Sequence, residues 1–213
     1  MKVLIINGSP RVNGNTAIAV NEMAGVFHAE GVETDIVQVG NKDVRGCIAC
    51  GQCAGTGKCV FDDIVNELAP KFEAADGLVV ASPVYYASAN ATLIAVLDRL
   101  FYSTHFDKTM KVGASVVCAR RGGCSATFDE LNKYFTISNM PVASSQYWNS
   151  IHGREPGQGT VWSPGNRGAC MDAFYKVTRS GGNTYVRIFN QRYHKGRTRA
   201  ACGGVTREHF CVL

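Results

Sequence analysis

Four cysteines stand within thirteen residues, Cys47, Cys50, Cys53 and Cys59, separated by two, two and five residues. Thiolates this close in sequence can turn toward one point, which suits an iron–sulfur cluster, a tetrahedral zinc ion or a redox-active thiol pair. Zinc motifs usually set two Cys-x2-Cys pairs farther apart. Cys47 and Cys50 have redox spacing, but no thioredoxin-like pattern surrounds them. A second stretch, Gly8-Ser9-Pro10-Arg11-Val12-Asn13-Gly14-Asn15-Thr16, offers different chemistry. Backbone N–H groups at a helix start, aided by hydroxyl and amide side chains, make an anion site. The loop lacks the lysine of a triphosphate loop, because Asn15 follows Gly14. It also lacks the glycine spacing of the dinucleotide fingerprint, because Ser9 and Pro10 follow Gly8. A terminal monophosphate suits it better; plain helix capping is the competing reading.

The elements that must position these residues alternate. Lys2 to Asn7 is a short apolar run with the pattern of a strand buried on both faces, and Ala17 to Phe27 has helical spacing. Thr34 to Val39 reads as a second strand. Asp63 caps a helix carrying Ile64, Leu68 and Phe72 on one face. Gly77 to Ser82 is a third strand, followed by a helix from Ala91 to Tyr102. Lys111 to Ala119 is the fourth, followed by a helix from Ser125 to Phe135, and Met140 to Ser144 is a short fifth strand. Such alternation predicts a doubly wound parallel sheet with helices on both faces. Ligands of such sheets sit beyond the strands' carboxyl ends, here at residues 8–16, 83–90 and 119–124. The first loop is a phosphate cradle. The second offers Tyr85 and Tyr86 to a planar ring, and the third is glycine-rich, so backbone can approach that ring. Phosphate at one end and a flat ring at the other describe flavin mononucleotide (FMN).

The composition, 46% apolar and 18% charged over 213 residues, is that of a globular chain with one well-buried domain. Its longest apolar runs fall far short of the ~20 residues of a membrane span, and the N-terminus does not resemble a cleavable signal. A cytoplasmic location is expected, where nine cysteines are better explained by metal or redox use than by disulfides. The formal charge of +5 is unevenly spread: residues 157–213 hold 9 Lys/Arg and 2 Asp/Glu. No nucleic-acid motif accompanies this basic tail, so no nucleic-acid partner is assigned. Cys118, Cys124, Cys170, Cys202 and Cys211 are read as bystanders, and the five histidines as without a role.

The chain resembles the flavodoxin-like NAD(P)H-dependent FMN reductases, and within them the iron–sulfur flavoproteins. The likeness rests on Gly8-Ser9-Pro10-Arg11 with Gly14-Asn15-Thr16, on the cysteine motif ending Cys59-Val60-Phe61-Asp62-Asp63, on Ser82-Pro83-Val84-Tyr85 and on Leu97-Asp98-Arg99. It covers residues 1 to about 155. It implies a five-stranded sheet in the order 2-1-3-4-5. Ser9, Arg11, Asn15 and Thr16 would hold the FMN phosphate, Pro83, Val84, Tyr85 and Tyr86 would line the isoalloxazine, and Arg121, Gly122 and Gly123 would close its far side. Cys47, Cys50, Cys53 and Cys59 would ligate one [4Fe–4S] cluster. The implied activity moves electrons between NAD(P)H or ferredoxin and a small acceptor such as a quinone, nitro compound, azo compound or oxygen, in a homodimer or homotetramer. A flavodoxin-like carrier without a substrate is the alternative, against which the cysteine segment and the near-neutral body count.

The resemblance breaks after Pro156. A domain of this family ends in an amphipathic helix, but residues 157–213 are Gly-, Arg- and Asn-rich with no sustained helical period. Met171 to Val177 and Thr184 to Phe189 are their only plausible short elements. The expectation is a 1–156 FMN-binding domain followed by an atypical irregular tail, either out of frame or foreign, with a biological basic arm as the rival.

Overall fold

A computed structural model describes residues 1–143, 150–157, 160–161, 174–180 and 183–189, the stretches beyond 157 by backbone alone. Strand β1 (Lys2–Asn7) pairs in parallel with β2 (Glu33–Gln38) on one side and β3 (Gly77–Tyr85) on the other. Next to β3 lies β5 (Val112–Ala119), and next to β5 lies β6 (Ser150–His152), both parallel. Counting parallel strands only, this is the expected order 2-1-3-4-5. Two short antiparallel strands are added. β4 (Ser88–Ala89) folds back on the end of β3, and β7 (Thr160–Val161) extends the edge beside β6.

The fifth parallel strand differs from the expectation. It is Ser150–His152, whereas in 140–144 Val142 makes only an isolated bridge to Gly113. Gly113 N–H donates to Pro141 O, and Ala143 N–H donates to Gly113 O. Proline itself has no N–H to give a ladder. Ser144 lies outside the described residues, as do Cys170, Cys202, Cys211, His194 and His209. In the tail, β8 (Phe174–Ser180) and β9 (Asn183–Phe189) pair antiparallel. The first overlaps the element expected at 171–177, and the second contains the one expected at 184–189.

Alternation along β1 divides the core in two, because successive side chains of a strand point to opposite faces. Leu4 and Ile6 belong to the layer under α3 (Ile64–Ala74), α4 (Ala91–Ser103) and α5 (Cys124–Thr136), where Leu68, Phe72, Leu93, Leu97, Leu131 and Phe135 are buried. Each such side chain contributes about 1.5–3 kcal/mol on burial. Val3 and Ile5 face the other layer, under α1 (Asn15–Ala29), with Ala19, Val20, Met23 and Ala24. Both faces of β1 are therefore covered, as its unbroken apolar run requires. The edge strand β2 is half-exposed, with Ile36 in water and Val39, just beyond it, fully buried. The four-residue helix α2 (Cys53–Thr56) lies in the cysteine segment.

Candidate functional site

The loops after β1, β3, β5 and β6 meet at the sheet's carboxyl edge. Loop 8–16 is fixed at its backbone N–H and C=O groups, by both main-chain and side-chain partners. Gly8 N–H donates to Ala81 O at 2.7 Å, Ser9 N–H to Asn7 Oδ1 at 2.9 Å, and Arg11 N–H to Ser9 Oγ at 3.2 Å. Two side chains from elsewhere hold its carbonyls: Gln38 Nε2 donates to Ser9 O at 3.0 Å and Asn90 Nδ2 to Gly8 O at 2.8 Å. Close packing leaves no room beneath it. A Cβ on Gly8 would lie 2.8 Å from Leu93 Cβ, and one on Gly40 would lie 2.1 Å from Gly8 O. Only glycine permits these approaches.

Above this floor α1 begins at Gly14, which provides no side-chain cap, whereas Asp63 caps α3 and Asn90 caps α4. The first N–H groups of α1 are consequently left without side-chain acceptors, at the positive end of the helix dipole. Among the expected phosphate residues, Thr16 is buried in the first turn and Arg11 is exposed above it. Ser9 is buried, with its hydroxyl shared between the N–H and O of Arg11, so it shapes the loop. Asn15 reaches sideways. Its Nδ2 donates to Gly153 O at 3.2 Å and its Oδ1 accepts from Gly157 N–H at 3.0 Å, tying the loop to the segment after β6.

The ring loop is a hairpin. Val84 pairs with Ala89 and Tyr85 with Ser88, leaving Tyr86 and Ala87 as a two-residue turn with φ of 51° and 58°. Two positive φ angles match the right-handed twist of a hairpin, but they favour Asn-Gly over Tyr-Ala. Glu130 on α5 clamps the turn's return strand, accepting from Ser88 Oγ at 3.0 Å and Ala89 N–H at 2.8 Å. Val84 packs against the core, Pro83 is half-buried, and Tyr86 is fully exposed. Gly123 has φ of 92°, and a Cβ there would meet Ala87 Cα at 2.9 Å and Val84 Cγ1 at 3.0 Å. The 119–124 loop thus reaches the hairpin at Gly123, while Arg121 and Gly122 stay exposed. Behind it, Cys124 Sγ lies 3.6 Å from His152 Nε2, and burial pushes the Cys124 thiol pKa up.

The cysteine segment is built differently. Cys47 and Cys50 are exposed, Cys53 and Cys59 half-buried, and among the described residues no three metal-ligating side chains converge on one point. The donor set nevertheless fits an iron–sulfur cluster in kind, with four thiols on one continuous stretch. Cys59 alone is held on all sides. Its N–H donates to Asn66 Oδ1 at 3.0 Å, its O accepts from Asn66 Nδ2 at 3.1 Å, and its Sγ accepts from Arg99 Nε at 3.2 Å. Arg99 also forms a two-pronged ion pair with Asp63 at 2.7 and 2.8 Å. Burial lowers the Arg99 pKa, but hydrogen bonds and charge from Asp63 and Cys59 outweigh it, and the net shift is upward.

Sequence reasoning missed Asn7, Gln38, Gly40, Asn90, Asn66 and Glu130. A polar residue ending an apolar strand, as at Asn7 and Gln38, is the signal that could have found two of them. The segment after β6 was missed because the fifth strand was placed too early.

A parallel sheet in the order 2-1-3-4-5 with helices on both faces is the flavodoxin-like arrangement. The model of the family described as NADPH-dependent FMN reductase matches residues 1–155. An iron-sulfur flavoprotein of Methanosarcina thermophila is 37% identical over 168 residues, covering 77% of this chain and 84% of that protein. Iron-sulfur flavoprotein MJ1083 of Methanocaldococcus jannaschii is 34% identical over 165 residues, covering 74% and 86%. In fold, the NAD(P)H:quinone oxidoreductase of Methanothermobacter marburgensis superposes with a TM-score of 0.57 at 13% identity, covering 80% of this chain and 88% of that one. The chain belongs to the NADPH-dependent FMN reductase family and is an FMN-dependent oxidoreductase. No helix among its described residues is long and apolar enough to cross a membrane.

Proposed function

We propose that this chain binds FMN across its carboxyl edge and moves electrons from NAD(P)H or ferredoxin to a small acceptor such as a quinone, nitro compound, azo compound or oxygen. FMN supplies the exchange between two-electron and one-electron chemistry. The residues supply position. Arg11, Thr16 and the first N–H groups of α1 hold the phosphate, with Ser9 and Asn15 fixing the loop's shape. Pro83, Val84, Tyr85 and Tyr86 face the isoalloxazine on one side, and Arg121, Gly122 and Gly123 border it on the other. The observation that carries this reading is the helix N-terminus at Gly14, left without a side-chain cap above a floor only glycine permits. Titration of the full chain with FMN, followed by steady-state oxidation of NADH and NADPH with a quinone, tests it. No FMN binding would overturn it. Binding without turnover, together with fast exchange with reduced ferredoxin, would favour a flavodoxin-like carrier.

Cys47, Cys50, Cys53 and Cys59 are proposed to hold one [4Fe–4S] cluster that closes the segment as it binds, since metal binding and local folding are coupled at such sites. The iron-sulfur flavoprotein relatives support this over zinc or a thiol pair. Iron content after anaerobic reconstitution decides it: zinc or no metal would refute the cluster. A homodimer or homotetramer is proposed, with a neighbouring copy enclosing the ring, because Tyr86 is fully exposed at the hairpin tip. A monomer in light scattering would exclude it. The family match ending at residue 155 supports a 1–156 domain distinct from the 157–213 tail. Translating the source DNA in the other frames past codon 156 tests whether the tail is out of frame.

A further inference from the structure

The side chain of Arg99 is fully buried, and it is the largest of the fully buried side chains among the described residues. A guanidinium carries five N–H donors in a fixed fork. All of them are used here. Nε donates to Cys59 Sγ, Nη1 to Arg45 O and Asp63 Oδ2, and Nη2 to Phe61 O and Asp63 Oδ1. Its plane also lies over the Phe61 ring, 5.1 Å from the centroid. Four of these donors go to oxygen, as a structural arginine requires. The fifth goes to a sulfur that the proposed function makes a ligand.

We infer that Arg99 is a positioning residue of the cysteine segment, presenting Cys59 as its one prebuilt ligand and raising the reduction potential of the cluster carried there. The inference rests on the cluster reading above. Hydrogen bonds to ligand sulfur and net charge near a cluster set its potential. The charge-assisted N–H beside Cys59 Sγ favours the state with one more electron; because Asp63 balances the guanidinium charge, the effect acts through that hydrogen bond. Asn66 contributes the geometry. By holding the N–H and O of Cys59, it fixes the backbone from which Sγ meets Arg99, whereas Cys47 and Cys50 are exposed.

The test uses the full chain, reconstituted anaerobically with ferrous iron and sulfide. Iron content, FMN affinity and the midpoint potential of the one-electron step, titrated with dithionite through mediators, are compared across three proteins. These are the wild type, Arg99→Lys, and a double variant carrying Arg99→Gln and Asp63→Asn. The double variant removes both charges, so that neither is stranded, and asparagine can still cap α3. FMN affinity serves as the control for folding. The expected result is wild-type iron content with a lowered potential, lowest in the double variant. An unchanged potential in iron-loaded variants overturns the inference and leaves the cluster reading standing. A wild-type chain that takes up no iron overturns both. Should neither variant fold, pulsed EPR of the reduced wild type labelled with 15N-arginine decides: arginine nitrogen coupling to the cluster supports the inference, and its absence overturns it.

Discussion

Loop 8–16 leads into α1 on one side of the sheet and the cysteine segment packs beside α3 and α4 on the other, and one is finished while the other is open. Loop 8–16 is held by hydrogen bonds from its backbone N–H groups at 2.7 to 3.2 Å and by contacts that exclude even a methyl group at Gly8 and Gly40. Residues 45–52 have no helix or strand, and two of the four thiols stand in water. The contrast follows from the ligands proposed for each. A phosphate needs N–H donors, which a backbone turn can aim in advance, whereas thiolates crowded around nothing would repel one another. A segment of that kind is completed by what it binds.

The largest expected effect would break the comparison if it failed. Cys50→Ala should abolish iron uptake while leaving FMN affinity unchanged, because no described contact joins Cys50 to loop 8–16; joint loss of iron and flavin would mean that the two regions are one site. Next, Gly40→Ala should displace the prebuilt floor, destabilising the fold by about 1–3 kcal/mol in urea melts and weakening FMN accordingly. Full stability with normal FMN affinity would show that the loop is not rigid. Thr16→Ala and Arg11→Ala should each remove a proposed contact to charged phosphate, worth about 1.5–3 kcal/mol, or roughly tenfold to a hundredfold in FMN affinity by titration calorimetry. Neither should alter iron content. The smallest effect belongs to the ring hairpin, where Ala87→Gly relieves a left-handed residue and should stabilise the protein by about 1 kcal/mol at thermal midpoint, without changing phosphate binding.

Much of this was legible in the residues themselves. The buried central strand at 2–7, the Asp63 cap and the 3.6-residue spacing of Leu93, Val96, Leu97 and Leu100 are local signals, and the structure follows them. What lay beyond reach was long-range. Nothing near Gln38 indicates that its amide turns onto Ser9, 29 residues away, or that Asn90 reaches Gly8. The fifth strand was misplaced because Met140 to Ser144 carries a strand-like composition, while the true partner of β5, Ser150–His152, is only three residues long. Periodicity cannot register so short an element. The four cysteines were visible at once; that Cys59 would differ from the other three was not, because its partner Arg99 is 40 residues distant.

Helix α4 touches both regions. Asn90, its cap, holds Gly8, and Arg99, nine residues on, holds Cys59. Such a helix is a ruler with both ends pinned. One residue inserted between them would rotate Arg99 by about 100° and advance it about 1.5 Å, pointing its fork away from Cys59 and Asp63. Compensation by a second insertion elsewhere is blocked, since Leu93 and Leu97 are packed in the core between the two pins. Substitution is a different matter: Ala91 and Tyr102 sit outside both contacts and face water. Over evolutionary time this stretch is therefore free to change its letters at the surface and bound to keep its length.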